Sequence, residues 1–220
     1  MQKKLAVLDL DGTILDTLAD LADSVNWALA QSGLAQHPYS SIRAFVGNGI
    51  RNLIERSVPE NTPLDVTDRV FADFKAHYAQ HCADKTCPYD GIPALLDELR
   101  AAGVALAVVS NKADFAVQEL CARYFPDQID LAVGEKTGVP KKPAPDSVYG
   151  VLRALNVPVE EAVYVGDSEV DIRTAHNAHM DGIIVSWGFR DRNALEEAGA
   201  DVIVDSIEEL KRAILSPRSL

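Results

Sequence analysis

Two aspartates separated by one residue follow a short apolar run near the start of the chain. The run Leu5–Leu8 leads into Asp9 and Asp11, and Gly12 and Thr13 come next. Carboxylates at the end of a buried strand need hydrogen bonds or a cation, and Mg²⁺ is commonly held by one or two carboxylates together with water and phosphate oxygens. Gly12 permits a sharp turn that brings backbone N–H groups and a hydroxyl beside the acids, where an anion could bind. The pattern predicts a cation site that handles phosphate, although an ordinary Asp-Gly turn at a strand end is an equal alternative for this segment alone.

Polar and charged residues recur in three later segments. They are Ser110 with Asn111, Lys142, and Asp167 with Asp171. Each has a simpler interpretation, namely a strand-to-helix cap, a solvated loop lysine, and acidic residues at a helix N-terminus. Ser110 and Asp167 directly follow apolar runs, as Asp9 does, and this shared position favours one common site over separate structural roles.

Apolar runs of β type alternate with amphipathic helical patterns, which predicts an α/β fold with a doubly wound parallel sheet and a Rossmann-like core. The predicted strands are 4–8, 104–110, 130–133, 162–166, 181–185 and 201–204. A helix is expected over 92–102, with a proline near its start and a glycine after its end. Ligands of such sheets bind beyond the carboxyl ends of the strands, so Asp9, Ser110 and Asp167 are expected to converge.

One block interrupts this alternation. Between about residues 17 and 88 the sequence has helical periodicity without a convincing strand, as in Leu18, Leu21, Val25 and Leu29. The chain is therefore predicted to consist of an α/β unit, residues 1–16 with 89–220, and an inserted helical unit, residues 17–88.

The segment from Asp9 to Thr17 resembles the first signature of the haloacid dehalogenase-like phosphatases. The segments around Ser110, Lys142 and Asp167 match further motifs of that family in the expected order. The resemblance extends over almost the whole chain. It implies an α/β core whose inserted helical cap closes over the pocket, and a Mg²⁺-dependent phosphatase that works through an aspartyl-phosphate.

The resemblance also implies a role for each matched residue in the reaction. Asp9 would be the nucleophile that attacks phosphorus, and Asp11 would protonate the leaving oxygen and later deprotonate water. Lys142 would hold Asp9 and the phosphoryl oxygens, while the Ser110 hydroxyl and the Asn111 backbone N–H would bind charge on the transferring group. Dehalogenases of the family lack the second acid of the first motif, so Asp11 favours phosphoryl transfer.

The cation that the resemblance implies would have three protein ligands. These would be a carboxylate oxygen of Asp9, the backbone carbonyl of Asp11 and the carboxylate of Asp167. Asp171, one helical turn after Asp167, is assigned to the outer shell of the site.

The expected substrate depends on the inserted unit. Gly47 and Asn48 lie in a Gly-Asn-Gly segment that permits close backbone approach to a small ligand and is similar to the cap loop of phosphoglycolate phosphatases. The segment 185–189 is also similar to that subgroup. Arg43, or less favourably Arg51, could then bind a substrate carboxylate, although solvated helix faces are nearly as good an explanation of both arginines. The leading prediction is 2-phosphoglycolate.

Four other functions are compatible with the same core motifs. They are a pyrophosphatase, a phosphosugar mutase of the β-phosphoglucomutase type, a phosphonate hydrolase, and a noncatalytic metabolite-binding regulator. The phosphonate hydrolase would need a cap lysine, and Lys75 and Lys85 both lie outside the Gly47–Gly49 loop. Substrate profiling separates the pyrophosphatase, slow water attack with product isomerisation would indicate the mutase, and a phosphatase assay tests the regulator.

The composition of this 220-residue chain argues against some classes of binding partner. Its formal net charge of −12 argues against nucleic acid and anionic membrane surfaces, both of which favour basic patches. The sequence contains neither a segment long enough to span a membrane nor an evident signal peptide. Three cysteines, Cys82, Cys87 and Cys121, without zinc-site spacing predict reduced thiols in the cytoplasm. The expected partner is a small phosphorylated metabolite, and the sequence makes no prediction of oligomeric state.

Overall fold

The structure is a computed structural model that describes residues 3–47 and 49–216. The strands within these residues are β1 (Leu5–Leu8), β2 (Leu15–Asp16), β3 (Cys87–Pro88), β4 (Ala105–Ala113), β5 (Leu131–Glu135), β6 (Ala162–Gly166), β7 (Asp181–Val185) and β8 (Ile203–Val204). The helices are α1 (Leu18–Gln31), α2 (Tyr39–Phe45), α3 (Ile50–Ser57), α4 (Leu64–His81), α5 (Ile92–Ala101), α6 (Asp114–Tyr124), α7 (Asp146–Leu155), α8 (Glu169–Asn177), α9 (Arg192–Glu197) and α10 (Ile207–Leu215). A 3₁₀ turn covers Val159–Glu161.

The chain divides into two compact units. The first combines Met1–Leu15 with Pro88–Leu220, and the second is Asp16–Cys87. Asp16 was predicted in the first unit and lies in the second, and Pro88 was predicted in the second unit and lies in the first. Both lie in the two-residue strands β2 and β3, which form a small sheet where the chain passes from one unit to the other, so the boundary shifts by one residue within each strand.

A six-stranded sheet in the order β5-β4-β1-β6-β7-β8 forms the first unit. All of its pairings are parallel, which confirms the predicted α/β fold class. The central strand β1 is buried on both faces, as expected for a parallel sheet covered by helices. Helices α5, α6, α7, α8 and α10 pack against the strands.

The predicted helix over 92–102 shows how local sequence determines an element of this unit. Gly91 has a φ of 84°, which places the chain for the start of α5 at Ile92. The buried face consists of Ile92, Leu95, Leu96 and Leu99. The helix therefore packs on the sheet through one apolar stripe at helical spacing.

Strand order determines where the polar residues meet. The register pairs Leu8 with Val108 of β4 and with Val165 of β6. The segments that follow these three strands consequently leave the sheet at one edge. The direction in which successive strands are added reverses between β1 and β6, which is the switch point where open α/β sheets bind ligands.

The second unit contains helices α1 to α4. Its interior includes Leu21, Val25 and Leu29 of α1 with Phe74 and Tyr78 of α4. This apolar packing agrees with the helical periodicity expected for the inserted block.

A buried carboxylate ties the end of this unit to its first helix. Asp20 of α1 is 2% exposed and accepts hydrogen bonds from the backbone N–H groups of Lys85 and Thr86 at 2.8–3.0 Å. Cys82 and Cys87 near this junction, and Cys121 in the first unit, are free thiols. Among the described residues, no helix combines the length and apolarity required to cross a bilayer.

Candidate active site

Three buried carboxylates meet at the carboxyl edge of the sheet. Asp9 follows β1, Asp167 follows β6, and Asp171 lies in the first turn of α8; one oxygen from each lies within 4.8 Å of the others. Carboxylate oxygens are hard ligands of the kind that a divalent cation such as Mg²⁺ prefers. Two of the three residues, Asp9 and Asp167, are predicted metal ligands, and the third, Asp171, was expected in the outer shell.

The electrostatics of the cluster favour an added positive charge. Burial raises the pKa of Asp9 from 3.8 to about 7, against the opposing attraction of Lys142. Burial and the charges of Asp171 and Asp9 hold the pKa of Asp167 well above its usual value. A bound cation would offset both the desolvation and the mutual repulsion of these carboxylates.

Asp167 is held by groups from two other loops. Its Oδ2 accepts a 2.7 Å hydrogen bond from the Phe189 backbone N–H, and the Thr13 hydroxyl donates to its Oδ1 at 3.3 Å. A Cβ added at Gly12 or Gly188 would lie 2.4 Å or 2.3 Å from Asp167 Oδ2. Both glycines are thus required for the close approach of backbone to this carboxylate.

The segment 185–189, which resembled a subgroup marker in the sequence, therefore has a physical role at the carboxylate cluster. Besides the Phe189 N–H, the Trp187 indole N–H donates to the Thr13 carbonyl oxygen at 3.1 Å. This bond connects the loop after β7 to the loop after β1. Gly188 itself was not predicted as a site residue, and its sequence signals are its place in the segment 185–189 and between two aromatic residues.

Lys142 lies beside the predicted nucleophile. Its Nζ is 2.9 Å from Asp9 Oδ1, Asp171 Oδ1 and the Tyr164 hydroxyl oxygen, and the residue is 4% exposed. Burial would lower the pKa of Lys142, but the charges of Asp171 and Asp9 outweigh it and hold the pKa well above its usual value. The lysine is therefore a buried cation paired with two carboxylates, not a solvated loop residue.

Asn111 fixes the backbone that carries this lysine. Its amide nitrogen donates to the Lys142 carbonyl oxygen at 2.9 Å, and its amide oxygen accepts from the Lys142 N–H at 2.8 Å. The sequence predicted a role for the Asn111 backbone N–H, and the structure adds this side-chain role. The bidentate contact places the loop after β5 against the end of β4.

Asp171 accepts hydrogen bonds through both of its oxygens. Oδ1 accepts from Lys142 and from the Tyr164 hydroxyl, and Oδ2 accepts from the Ser168 hydroxyl at 2.6 Å and from two backbone N–H groups. Burial would raise the pKa of Asp171, but Lys142 and Ser168 lower it below its usual value. Because its oxygens already accept five donors, Asp171 orients Lys142 and the N-terminus of α8. Tyr164, the only polar side chain in β6, was not predicted.

Asp11 lies outside this carboxylate group. Its Oδ1 is 2.7 Å from Nζ of Lys112, a residue for which no separate role was predicted. Ser110 is 5% exposed, and its hydroxyl oxygen accepts the Lys112 N–H at 3.3 Å. The side chain of Asp11 is thus positioned by β4, while a role for its backbone carbonyl as a metal ligand stays a prediction.

The residues predicted to bind the substrate belong to the second unit. Arg43 is half-buried in the last turn of α2, and Gly47 has a φ of 128°. Asn48 lies outside the described residues. Arg51 pairs with Glu55 at 2.7 Å and also with Asp68. These ion pairs make Arg51 a poorer candidate for binding a substrate carboxylate. The role of Arg43, Gly47 and Asn48 stays a prediction.

Comparison with known proteins finds similarity to one hydrolase family. The profile of the haloacid dehalogenase-like hydrolases matches residues 6–185. A phosphoglycolate phosphatase from Colwellia psychrerythraea is 32% identical over 216 residues, which cover 95% of this chain and 96% of that protein.

Solved structures of related proteins have the same architecture. A Lactobacillus delbrueckii subsp. bulgaricus protein, provisionally assigned as a phosphoglycolate phosphatase, is 42% identical with a TM-score of 0.94, covering 99% of this chain and 100% of that one. CbbY from Rhodobacter sphaeroides in complex with phosphate is 27% identical with a TM-score of 0.75, covering 95% and 96%. An Asp-to-Asn mutant of CbbY was solved with xylulose-1,5-bisphosphate.

Proposed function

The chain belongs to the haloacid dehalogenase-like hydrolases, and we propose that it is a Mg²⁺-dependent phosphatase whose main substrate is 2-phosphoglycolate. The observation that carries this proposal is the contact of buried Asp9 with Lys142, beside the carboxylate of Asp167. A carboxylate nucleophile needs a nearby cation to approach an anionic phosphate, and this arrangement supplies the lysine and carboxylates that could hold a metal ion.

The reaction consists of two displacements at phosphorus. In the first, a carboxylate oxygen of Asp9 forms a bond to phosphorus, the bond from phosphorus to the ester oxygen breaks, and Asp11 gives its proton to the departing alcohol. In the second, Asp11 takes a proton from water, whose oxygen attacks phosphorus and releases Asp9 and inorganic phosphate. The roles of both aspartates are part of the proposal.

Lys142 and the end of β4 would orient the nucleophile and bind the negative charge of the phosphoryl group. Lys142 orients Asp9 through Oδ1, which also accepts the Leu10 N–H at 2.7 Å. The Ser110 hydroxyl and the Asn111 backbone N–H would bind the phosphoryl oxygens as charge develops on them. Because these groups are held by the sheet, they need little reorganisation during the reaction.

The cation would be held by the carboxylates of Asp9 and Asp167 and by the backbone carbonyl of Asp11. When bound, Mg²⁺ supplies positive charge that offsets repulsion between the nucleophile and the phosphate. Asp171, which accepts hydrogen bonds from Lys142, Tyr164 and the start of α8, would orient the site without binding the metal.

The choice of 2-phosphoglycolate rests on the inserted unit and on the relatives. We assign the substrate carboxylate to Arg43, and we propose Gly47 and Asn48 as further substrate-binding residues. The relative from Colwellia psychrerythraea bears the name of this activity. A sugar bisphosphate is the second candidate, because structurally similar CbbY was solved with one.

A panel of substrates tests the proposal. Phosphate release is measured from 2-phosphoglycolate, pyrophosphate, β-glucose 1-phosphate, a pentulose 1,5-bisphosphate and p-nitrophenyl phosphate, each with Mg²⁺ and with a chelator. The proposal expects Mg²⁺-dependent hydrolysis with the highest kcat/KM for 2-phosphoglycolate. Preference for another compound would overturn the substrate, and activity unaffected by the chelator would overturn the metal dependence.

A further inference from the structure

A buried lysine lies directly behind the aspartate assigned to proton transfer. Nζ of Lys112 is 2.7 Å from Oδ1 of Asp11, and the Lys112 side chain is 1% exposed while that of Asp11 is 17% exposed. The ammonium group is therefore shielded from solvent, whereas the carboxylate that it contacts is partly exposed. This geometry differs from that of Lys142, which contacts the proposed nucleophile itself.

Placing an ammonium group there is costly unless the ion pair compensates. Removing a lysine charge from water costs several kcal/mol, whereas an apolar side chain of similar length would fill the same space without that penalty. A lysine that is 1% exposed is also poorly placed to attract substrate from solution. The simplest role for the charge is to hold Asp11 in one orientation.

The backbone on the lysine side of the pair is rigidly supported. The pairing of β4 with β5 shifts register between Val109 and Ala113, an irregularity that re-aims side chains at the end of a strand. Gly134 of β5 packs against this segment, since a Cβ there would lie 2.8 Å from the Lys112 carbonyl oxygen. The Gly134 N–H also donates to Asp114 at 2.8 Å.

The aspartate side is equally constrained. Asp11 lies in a tight turn in which the Gly12 N–H donates to the Leu15 carbonyl oxygen at 2.9 Å and the Leu15 N–H donates to the Leu10 carbonyl oxygen at 3.0 Å. Both backbones are thus fixed, and the ion pair at 2.7 Å joins the Asp11 carboxylate to the ammonium group that β4 carries.

We propose that Lys112 is a positioning residue that holds the Asp11 carboxylate in the orientation from which it serves the leaving group. The inference rests on the proposed function, because it assumes that Asp11 protonates the departing alcohol. It adds a residue to which the matched motifs assign no role. Misplacing a catalytic group by about 1 Å can cost on the order of 100-fold in rate.

The dependence of kcat/KM on the leaving group separates this role from a structural one. Departure of an alkyl alcohol needs a proton, whereas p-nitrophenolate and acetate leave without one. For Lys112→Met we expect kcat/KM for 2-phosphoglycolate to fall by roughly 10- to 100-fold, because a misoriented acid loses only part of the roughly 100- to 10,000-fold that general acid catalysis contributes. For p-nitrophenyl phosphate and acetyl phosphate we expect little change. The ratio kcat/KM excludes the later hydrolysis of the aspartyl-phosphate, so only the first displacement is compared.

Four further variants complete the test. Asp11→Asn should show the same selectivity for alkyl substrates with a larger loss, and adding Lys112→Met to it should cause no further selective loss. In Lys112→Arg the ratio of kcat/KM for alkyl substrates to kcat/KM for substrates with good leaving groups should stay close to that of the wild type, because the positive charge is kept. Lys136→Met removes an exposed lysine that pairs with Asp114 at 3.4 Å, and it should leave both kinds of substrate unaffected.

The outcomes distinguish this inference from the proposed function. Equal loss for alkyl and good-leaving-group substrates in Lys112→Met, or no loss, overturns the positioning role while the phosphatase stands. Wild-type protein without Mg²⁺-dependent phosphate release overturns the proposed function itself. Should Lys112→Met fail to fold, as judged by its thermal unfolding, Lys112→Gln and the Arg variant provide the same comparison.

Discussion

Replacing Gly188 by alanine adds only one methyl group, but it should displace Asp167, a proposed ligand of the cation. An added Cβ would lie 2.3 Å from both Cβ and Oδ2 of Asp167 and 2.5 Å from the Gly12 carbonyl oxygen. Carbon atoms do not tolerate such separations. The Asp167 Cβ and the Gly12 carbonyl oxygen cannot move away unless the backbones that carry them also move. Gly188→Ala must therefore displace Asp167 and lengthen its 2.7 Å hydrogen bond from the Phe189 N–H.

The expected size of the effect follows from two overlapping costs. Overpacking a well-packed region costs about 1–3 kcal/mol, and weakening a hydrogen bond to a charged group costs about 1.5–3 kcal/mol. Since the same displacement causes both, we expect the free energy of unfolding to fall by about 2–4 kcal/mol in total. For a chain of this size that corresponds to a Tm lower by roughly 5–15 °C. The Mg²⁺ concentration for half-maximal activity should rise by about 10- to 100-fold, as for changes that misorient a ligand.

Thermal unfolding and a Mg²⁺ titration of phosphate release measure these two effects. Gly150→Ala is the matched control, since Gly150 lies within α7 and a Cβ there would meet nothing within 4 Å. That variant should be more stable by about 0.5–1 kcal/mol, because alanine is the better helix former. A Gly188→Ala protein with the wild-type Tm and Mg²⁺ dependence would refute the argument from close approach.

Three further predictions concern the carboxylates and the substrate. Asp9→Asn should abolish turnover while keeping the fold, because it removes the nucleophilic charge and little volume; comparable activity would exclude Asp9 as the nucleophile. Arg43→Ala should raise KM for carboxylated substrates more than for uncharged phosphate esters, and equal changes would show that Arg43 does not bind the carboxylate. The raised pKa of Asp9, about 7, means that the metal-free protein gains stability from this group below its unfolded value near 3.8 and loses it as pH rises through 7. Mg²⁺ competes with that proton, so it should raise Tm more at pH 8 than at pH 6, and an equal shift at both values would contradict this.

Much of the fold could be predicted because its signals are local. Apolar runs at strand spacing indicated all six strands of the sheet, and helical periodicity indicated the inserted unit. The boundary between units moved by one residue at Asp16 and Pro88, since nothing in the sequence distinguishes the two residues of a short crossing strand.

The core of the candidate site could be predicted for a topological reason. Parallel strands present their carboxyl ends at one edge, so residues that directly follow strands converge whatever their separation in sequence. This accounts for the prediction that Asp9, Ser110 and Asp167 share a site. Their chemical types then indicated a cation and a phosphate.

Pairing and burial were decided by the tertiary structure. The sequence could not identify Lys112 as the partner of Asp11, 101 residues away, nor Tyr164 as a partner of Lys142. Nor could it show that Gly188 leaves room for Asp167. Whether a charged side chain is buried depends on atoms from segments that are distant in the sequence. Whether a position requires glycine depends on such atoms as well. The sequence by itself thus determined which strands form and which edge carries the acids, and only the packing decided which partner each buried charge has.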